Sequence, residues 1–366
     1  GRQCSREHRV NLLVFLVLLA TLVLVHELGH FTLAKLAGVK VEEFGLGFPP
    51  RLLGIRRGET IYSLNAIPLG GFVRMLGEED PTHPRSFARA PKRWRTAILL
   101  AGPVMNFLAA AVFFTAAFLA GWPTPTAFAV EIFRVLPGTP AEQAGLQVGD
   151  LILQVEGQPV TDTRRLRDIT QQHLGRPMTL LVRRGDQEIA ITVVPRTQWP
   201  EGEGPIGIGI VDRPTRIEPV PYPLPEAIVR GLQRTLFVII ATPYLPILAL
   251  RGLVPLDLLR PVGPVGLYQV TSQATSVSVE TGWLFPILSV AGTLSAGLGV
   301  ANLLPIPGLD GGRLLFIALE AIRGRRVSPE REGLIHLLGI TLLMGLLVII
   351  TYFDLVSPIA VDWSLR

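Results

Sequence analysis

The chain has 366 residues, 49% of them hydrophobic and only 17% charged, with a mean hydropathy of +0.43. Soluble domains carry about 25% charged residues, so the composition excludes a disordered chain and an ordinary water-soluble enzyme. It leaves a polytopic membrane protein with one soluble domain. The formal charge of +5 comes with no nucleic-acid fold signature and reads as a topology signal; no nucleic-acid partner is expected. Cys4 is the single cysteine, so no intramolecular disulfide forms.

In chain order, the first apolar run lies between Arg9 and Lys35, interrupted only by His26, Glu27 and His30. Arg2, Arg6 and Arg9 precede it, but no small-residue cleavage site follows, so it reads as a span and not as a signal peptide. The first eight or nine residues carry no weight in this reading. Charge-free stretches then lie between Arg95 and Glu131, Glu280 and Asp310, and His336 and Asp354. Each is long enough for a bilayer core of about 30 Å, which needs roughly 20 helical residues. Thr235–Leu250 is uncharged but short, and Pro243 and Pro246 interrupt it. It reads as a surface-lying or re-entrant helix.

About four spans follow. The Lys- and Arg-rich segments Gly38–Arg95 and Arg313–Arg331 are expected on the cytoplasmic side. The first and third spans then run inward, the second and fourth outward, and Gly121–Glu226 lies outside. Tyr62–Met75, with Gly70 and Gly71 permitting a turn, is too short for a span and reads as a hairpin.

Val25-His26-Glu27-Leu28-Gly29-His30 contains H-E-x-x-H. Residues i and i+4 share one helix face, so His26 and His30 can reach one zinc ion, and Glu27 can take a proton from a water there. Ionisable groups inside an apolar span cost about 2.5–3.5 kcal/mol per central charge even on the lenient scale, which favours a metal site over a solvated helix face. Two histidines leave such a site short of a ligand. Asn302-Leu303-Leu304-Pro305-Ile306-Pro307-Gly308-Leu309-Asp310-Gly311-Gly312 is expected to break the third span and present Asp310 at membrane depth, in the same half of the bilayer as His26. The alternative makes Asp310 an interfacial helix cap.

The H-E-x-x-H run and the N-x-x-P-x-P-x-L-D-G-G run together resemble the site-2 protease family of intramembrane zinc metalloproteases. Phe44–Pro49, Ile67–Val73 and Ala101–Phe107 resemble further segments of that family, and the nearest group is the bacterial regulator-of-sigma-E protease type. The resemblance implies Zn²⁺ held by His26, His30 and Asp310, with Glu27 as catalytic base. It implies that Asn302 holds unwound substrate, and that the segment with Gly70 and Gly71 offers an edge to the substrate backbone. It implies single-span membrane proteins as substrates, anti-sigma factors or signal-peptide remnants among them, in regulated intramembrane proteolysis.

From about Ala127 to Asp212 charges return. Strand-like runs appear at Ala129–Leu136, Leu151–Glu156, Met178–Arg183 and Glu188–Val194, with a helix at Arg164–Leu174. Pro137–Leu146 followed by Val148–Ile152 resembles a PDZ domain of the circularly permuted bacterial kind, which implies a peptide ligand added to a sheet edge. The family's best-known members have two such domains, and one is found here. Gly204–Ile210 is either a strand or a linker.

The expected fold is a polytopic α-helical membrane protein with an inserted extracytoplasmic α+β PDZ domain. Residues 1–126 form the N-terminal membrane part and 127–212 the PDZ domain. Residues 213–283 are linker and surface or re-entrant helices, and 284–366 form the C-terminal membrane part. The expected location is the inner (plasma) membrane, with the active site in its cytoplasmic half. The rival reading is a catalytically silent PDZ adaptor with a structural metal.

Overall fold

The computed structural model describes residues 2–78, 80–255 and 259–363. Its Cα packing separates two compact units, one of Gly1–Trp122 with Pro221–Trp363 and one centred on Pro123–Val220.

In the first unit, α1 (Arg2–Leu36) leads into β1 (Val41–Arg57) and β2 (Thr60–Met75), followed by α2 (Lys92–Leu119). The two long strands fold back on themselves. Val41–Phe48 pairs with Ile67–Met75 on one side and Ile61–Leu64 on the other, and Arg51–Arg57 pairs with Thr60–Asn65. The expected hairpin at Tyr62–Met75 is therefore half of a larger sheet, in which Ile67–Met75 forms an edge. Phe31 of α1 meets Phe44 and Tyr62 edge-on, and Ala34, Val39, Val41, Ile98 and Leu99 fill the core between helix, sheet and α2.

After the insert come α5 (Leu224–Leu250), α6 (Pro264–Thr281), α7 (Phe285–Leu303), α8 (Asp310–Arg323) and α9 (Pro329–Val356). Five helices are long and apolar enough to cross a membrane: Glu7–Leu36 of α1, α2, α5, α7 and α9. Of these, α5 corrects the expected length of the helix at Thr235–Leu250. The helix starts at Leu224 and runs unbroken through Pro243 and Pro246. Neighbouring helices and hydroxyl side chains let such prolines persist in membrane helices.

The second unit contains β3 (Trp122–Val135), α3 (Pro140–Gln143), β4 (Leu151–Val155), β5 (Gln158–Pro159), α4 (Thr163–Gln172), β6 (Met178–Arg184), β7 (Gln187–Val193) and β8 (Ile208–Val220). The sheet order is β7-β6-β4-β3-β8, with β5 beside β4. Alternation buries Met178, Leu180 and Val182 completely, along with Val130, Ile132 and Ile152. The Gly204–Ile210 segment leads into strand β8, the side of the choice the sequence left open.

Candidate metal centre

His26 and His30 sit one turn apart on α1, both buried. His30 Nδ1 lies 2.8 Å from the Ile98 carbonyl of α2. A carbonyl only accepts, so Nδ1 carries the proton and Nε2 presents a lone pair. His26 Nδ1 lies 3.0 Å from the side-chain amide of Asn106, which is fully buried in α2. As placed, the amide nitrogen faces Nδ1 and the amide oxygen has no partner; exchanging the two lets Nδ1 donate to the oxygen and leaves Nε2 a lone pair. Gly102 of α2 lies against both imidazoles, and a Cβ there would overlap His30 Nε2.

The third group arrives from the other end of the chain. α7 stops at Leu303, the segment 304–309 turns without helix, and α8 begins at Asp310. Asp310 Oδ2 lies 3.2 Å from His26 Nε2 and 3.2 Å from His30 Nε2, while the two Nε2 atoms are 3.1 Å apart. Despite this closeness, Oδ2 makes no hydrogen bond of acceptable geometry. One ligand atom from each of the three residues lies within 4.8 Å of the others. Tetrahedral donors at zinc distances of about 2.0–2.2 Å stand roughly 3.3 Å apart. The nitrogen–nitrogen–oxygen set and its spacing therefore fit a zinc ion.

Around this cluster is a cleft of about 760 Å³. All seven residues singled out from the sequence border it: His26, Glu27, His30, Gly70, Gly71, Asn302 and Asp310. Glu27 shares the α1 turn with the histidines, and the Val73 main chain hydrogen-bonds its carboxyl group. One wall is the edge segment Gly70–Met75, and the other is the end of α7 with the start of α8. Arg313, one turn past Asp310, reaches across to Glu78 at 2.7 Å. Sequence reasoning assigned no role at the metal centre to Arg313, Glu78, Gly102 or Asn106. Only Asn106 left a usable signal, as a carboxamide within the charge-free run between Arg95 and Glu131.

Long apolar helices around a His–His–Asp cluster define the class: an integral membrane protein with a candidate metal centre among its helices. The chain belongs to Peptidase family M50, which it matches over residues 14–346. It is 30% identical to the zinc metalloprotease RasP of Oceanobacillus iheyensis, over 94% of this chain and 98% of that one. It is 28% identical to the RasP of Geobacillus kaustophilus, over 94% and 97%. Among solved structures it is similar to the PDZ domain of an SdrC-like protein from Listeria innocua, 24% identical, covering 23% of this chain and 93% of that one, with a TM-score of 0.20.

Proposed function

We propose that this M50 zinc metalloprotease cuts a peptide bond within the transmembrane segment of a single-span membrane protein, such as an anti-sigma factor or a signal-peptide remnant. The observation that carries the reading is the meeting of His26, His30 and Asp310 beside Glu27 in one cleft lined by apolar helices. Zinc held by those three residues supplies a Lewis acid that polarises a carbonyl and acidifies a water at neutral pH. Glu27 accepts the proton of the attacking water and returns it to the leaving nitrogen. A helical substrate hides its carbonyls in its own hydrogen bonds, so the reacting stretch unwinds. The Ile67–Met75 edge, with Gly70 and Gly71 at the cleft, offers main-chain partners to that stretch, and the Asn302 carboxamide holds it. A silent adaptor has no use for a carboxylate beside the cluster.

The insert reads as a PDZ domain covering 127–212. A groove of about 420 Å³ runs between α4 and β8, and β8 ends the sheet, the arrangement that accepts a peptide as an added strand.

The meeting of helix ends supports one membrane topology. The Tyr222 amide before α5 donates to Phe118 O at the end of α2, and Trp283 before α7 donates to Gly121 O. Asn11 near the start of α1 donates to Ser276 of α6, and Asp354 near the end of α9 accepts from Gly263 and Gly266 at the start of α6. These ends share one side, and both ends of α6 lie on it. Were α5 a full crossing, residues 251–263 alone would have to return across the bilayer to reach α6. Residues Gly252 and Leu253 turn back onto the end of α5. About ten residues remain, and only fully extended would they reach roughly 33 Å, a state in which lipid could not satisfy their peptide groups. α5 packs along α2, with Gly231 against Thr115 and Val238 in one cluster with Ala110 and Phe114. These contacts support four crossings with α5 re-entrant from the outer side. The Arg- and Lys-rich opposite side then faces the cytoplasm of a bacterial inner membrane, the insert faces outward, and the metal centre lies in the cytoplasmic half.

The test is cleavage of a model single-span substrate by the purified chain in liposomes. Cleavage abolished by a chelator and restored by zinc is expected. A zinc-loaded protein that binds the substrate without cutting it would select the adaptor.

A further inference from the structure

α9 is apolar and largely turned away from the protein. Among its described residues only His336, Gly339 and Asp354 are buried. An imidazole on such a helix needs a partner, because an unpaired polar group in hydrocarbon is costly. His336 Nδ1 accepts a hydrogen bond from the Gly308 amide at 3.0 Å. Nδ1 is therefore unprotonated, and in the neutral ring the proton sits on Nε2.

Gly308 lies two residues before Asp310, in the non-helical turn that joins α7 to α8. Its φ of +98° puts it in the left-handed region, where its N–H falls outside the helical ladders on either side. The turn has few bonds of its own: Ile306 N to Leu304 O at 2.7 Å and Leu309 N to Ile306 O at 3.2 Å. Gly311 and Gly312 of α8 sit against its Leu304 and Ile306 carbonyls, and α9 holds its Pro307–Gly308 side. One turn after His336, Gly339 lets the Pro307 carbonyl sit directly against the helix, where any Cβ would collide with it. Ile340 packs on Gly308 and lines the cleft. The Phe316 ring of α8 lies 5.4 Å from the imidazole, so His336 is held between the turn and the helix that Asp310 begins.

We propose that His336 is a positioning residue for the third zinc ligand. With Gly339, it seats the Pro307–Gly308 turn on α9, and so sets where the Asp310 carboxylate meets His26 and His30. The inference rests on Asp310 being a ligand. The imidazole acts through the Gly308 main chain and touches neither metal nor substrate.

The test compares His336→Leu, His336→Asn and His336→Gln in the full chain, with Asp310→Ala as reference. Asn places its amide oxygen near the Nδ1 position and can accept from Gly308, Gln carries its acceptor too far out, and Leu has none. Zinc retention is read by elemental analysis across a chelator series, and kcat and KM are read on a model span. Loss of an outer-shell partner typically costs 10–100-fold in metal affinity or activity. His336→Leu and His336→Gln are expected to lose zinc at about tenfold or more lower chelator and to lose kcat by a similar factor, with KM within about twofold of wild type. His336→Asn is expected within about threefold of wild type in both. If Asp310→Ala itself keeps zinc, the ligand assignment fails and this proposal with it. If Asp310→Ala loses zinc while His336→Leu retains wild-type zinc and kcat, only the positioning role is overturned. Equal impairment of Asn and Leu overturns it as well, and should Leu fail to fold, the contrast between Asn and Gln decides.

Discussion

His26 Nε2 and Asp310 Oδ2 stand 3.2 Å apart, although one belongs to the first helix of the chain and the other begins the eighth. The closeness depends on α7 ending at Leu303, before Pro305 and Pro307, so that the chain can turn and start α8 with the carboxylate aimed back at α1. Asp310→Ala, like His26→Ala and His30→Ala, is expected to strip zinc from the purified protein and to abolish cleavage. Elemental analysis of the three variants checks this; full zinc content and activity in Asp310→Ala would return that residue to helix capping.

The insert has its own acid sensitivity. Burial pushes the Asp150 carboxyl up, but two hydrogen bonds from Arg184 at 2.7 Å and one from the Gln147 amide outweigh it and hold its pKa below the usual carboxylate range. The folded state therefore binds fewer protons than the unfolded one near pH 4. The resulting stability is fully present above the ordinary Asp pKa of about 3.9 and is lost as pH falls towards the lowered folded value. Asp150→Asn should cost about 2 kcal/mol at neutral pH and remove that part of the pH dependence. Pulse proteolysis of the 123–220 region in the full chain, from pH 2 to 7, measures both; identical profiles for variant and wild type would refute the linkage.

The position of α5 is open to labelling. Glu226→Cys and Arg251→Cys, each in a background lacking Cys4, should both react with a membrane-impermeant thiol reagent applied to the outside of intact cells. Reaction of Arg251→Cys only after permeabilisation would make α5 a true crossing and reverse the direction assigned to α7.

Much of this is legible in the amino-acid sequence. H-E-x-x-H declares a helix face by its spacing alone, and the prolines around Ile306 announce the break that frees Asp310. The insert's strands follow from alternation, within a residue or two at β4, β6 and β7. The β1–β2 sheet was not legible, because Val41–Phe48 pairs on both sides with segments of one later strand, and no local pattern encodes such register. The length of α5 was missed for a different reason. Counting uncharged residues stopped at Arg234, yet Arg230 pairs with Glu226 and lies 4.4 Å from the Tyr222 ring, and Arg234 lies 5.7 Å from that of Trp122. These charges sit near the N-terminal end of the helix among aromatic partners, so they do not end it. Asn106 and His336 escaped notice because their importance depends on what lies opposite them in space.

Glu27→Gln is the most direct test of the account. The substitution leaves His26, His30 and Asp310 in place and removes only the group assigned as base. Measured side by side in liposomes with a model transmembrane substrate, the variant is predicted to hold as much zinc as the wild type and to cleave about 10²–10⁴-fold more slowly, the usual contribution of general acid–base catalysis. Cleavage at the wild-type rate by the zinc-loaded variant would contradict the assignment of Glu27 and the mechanism built on it.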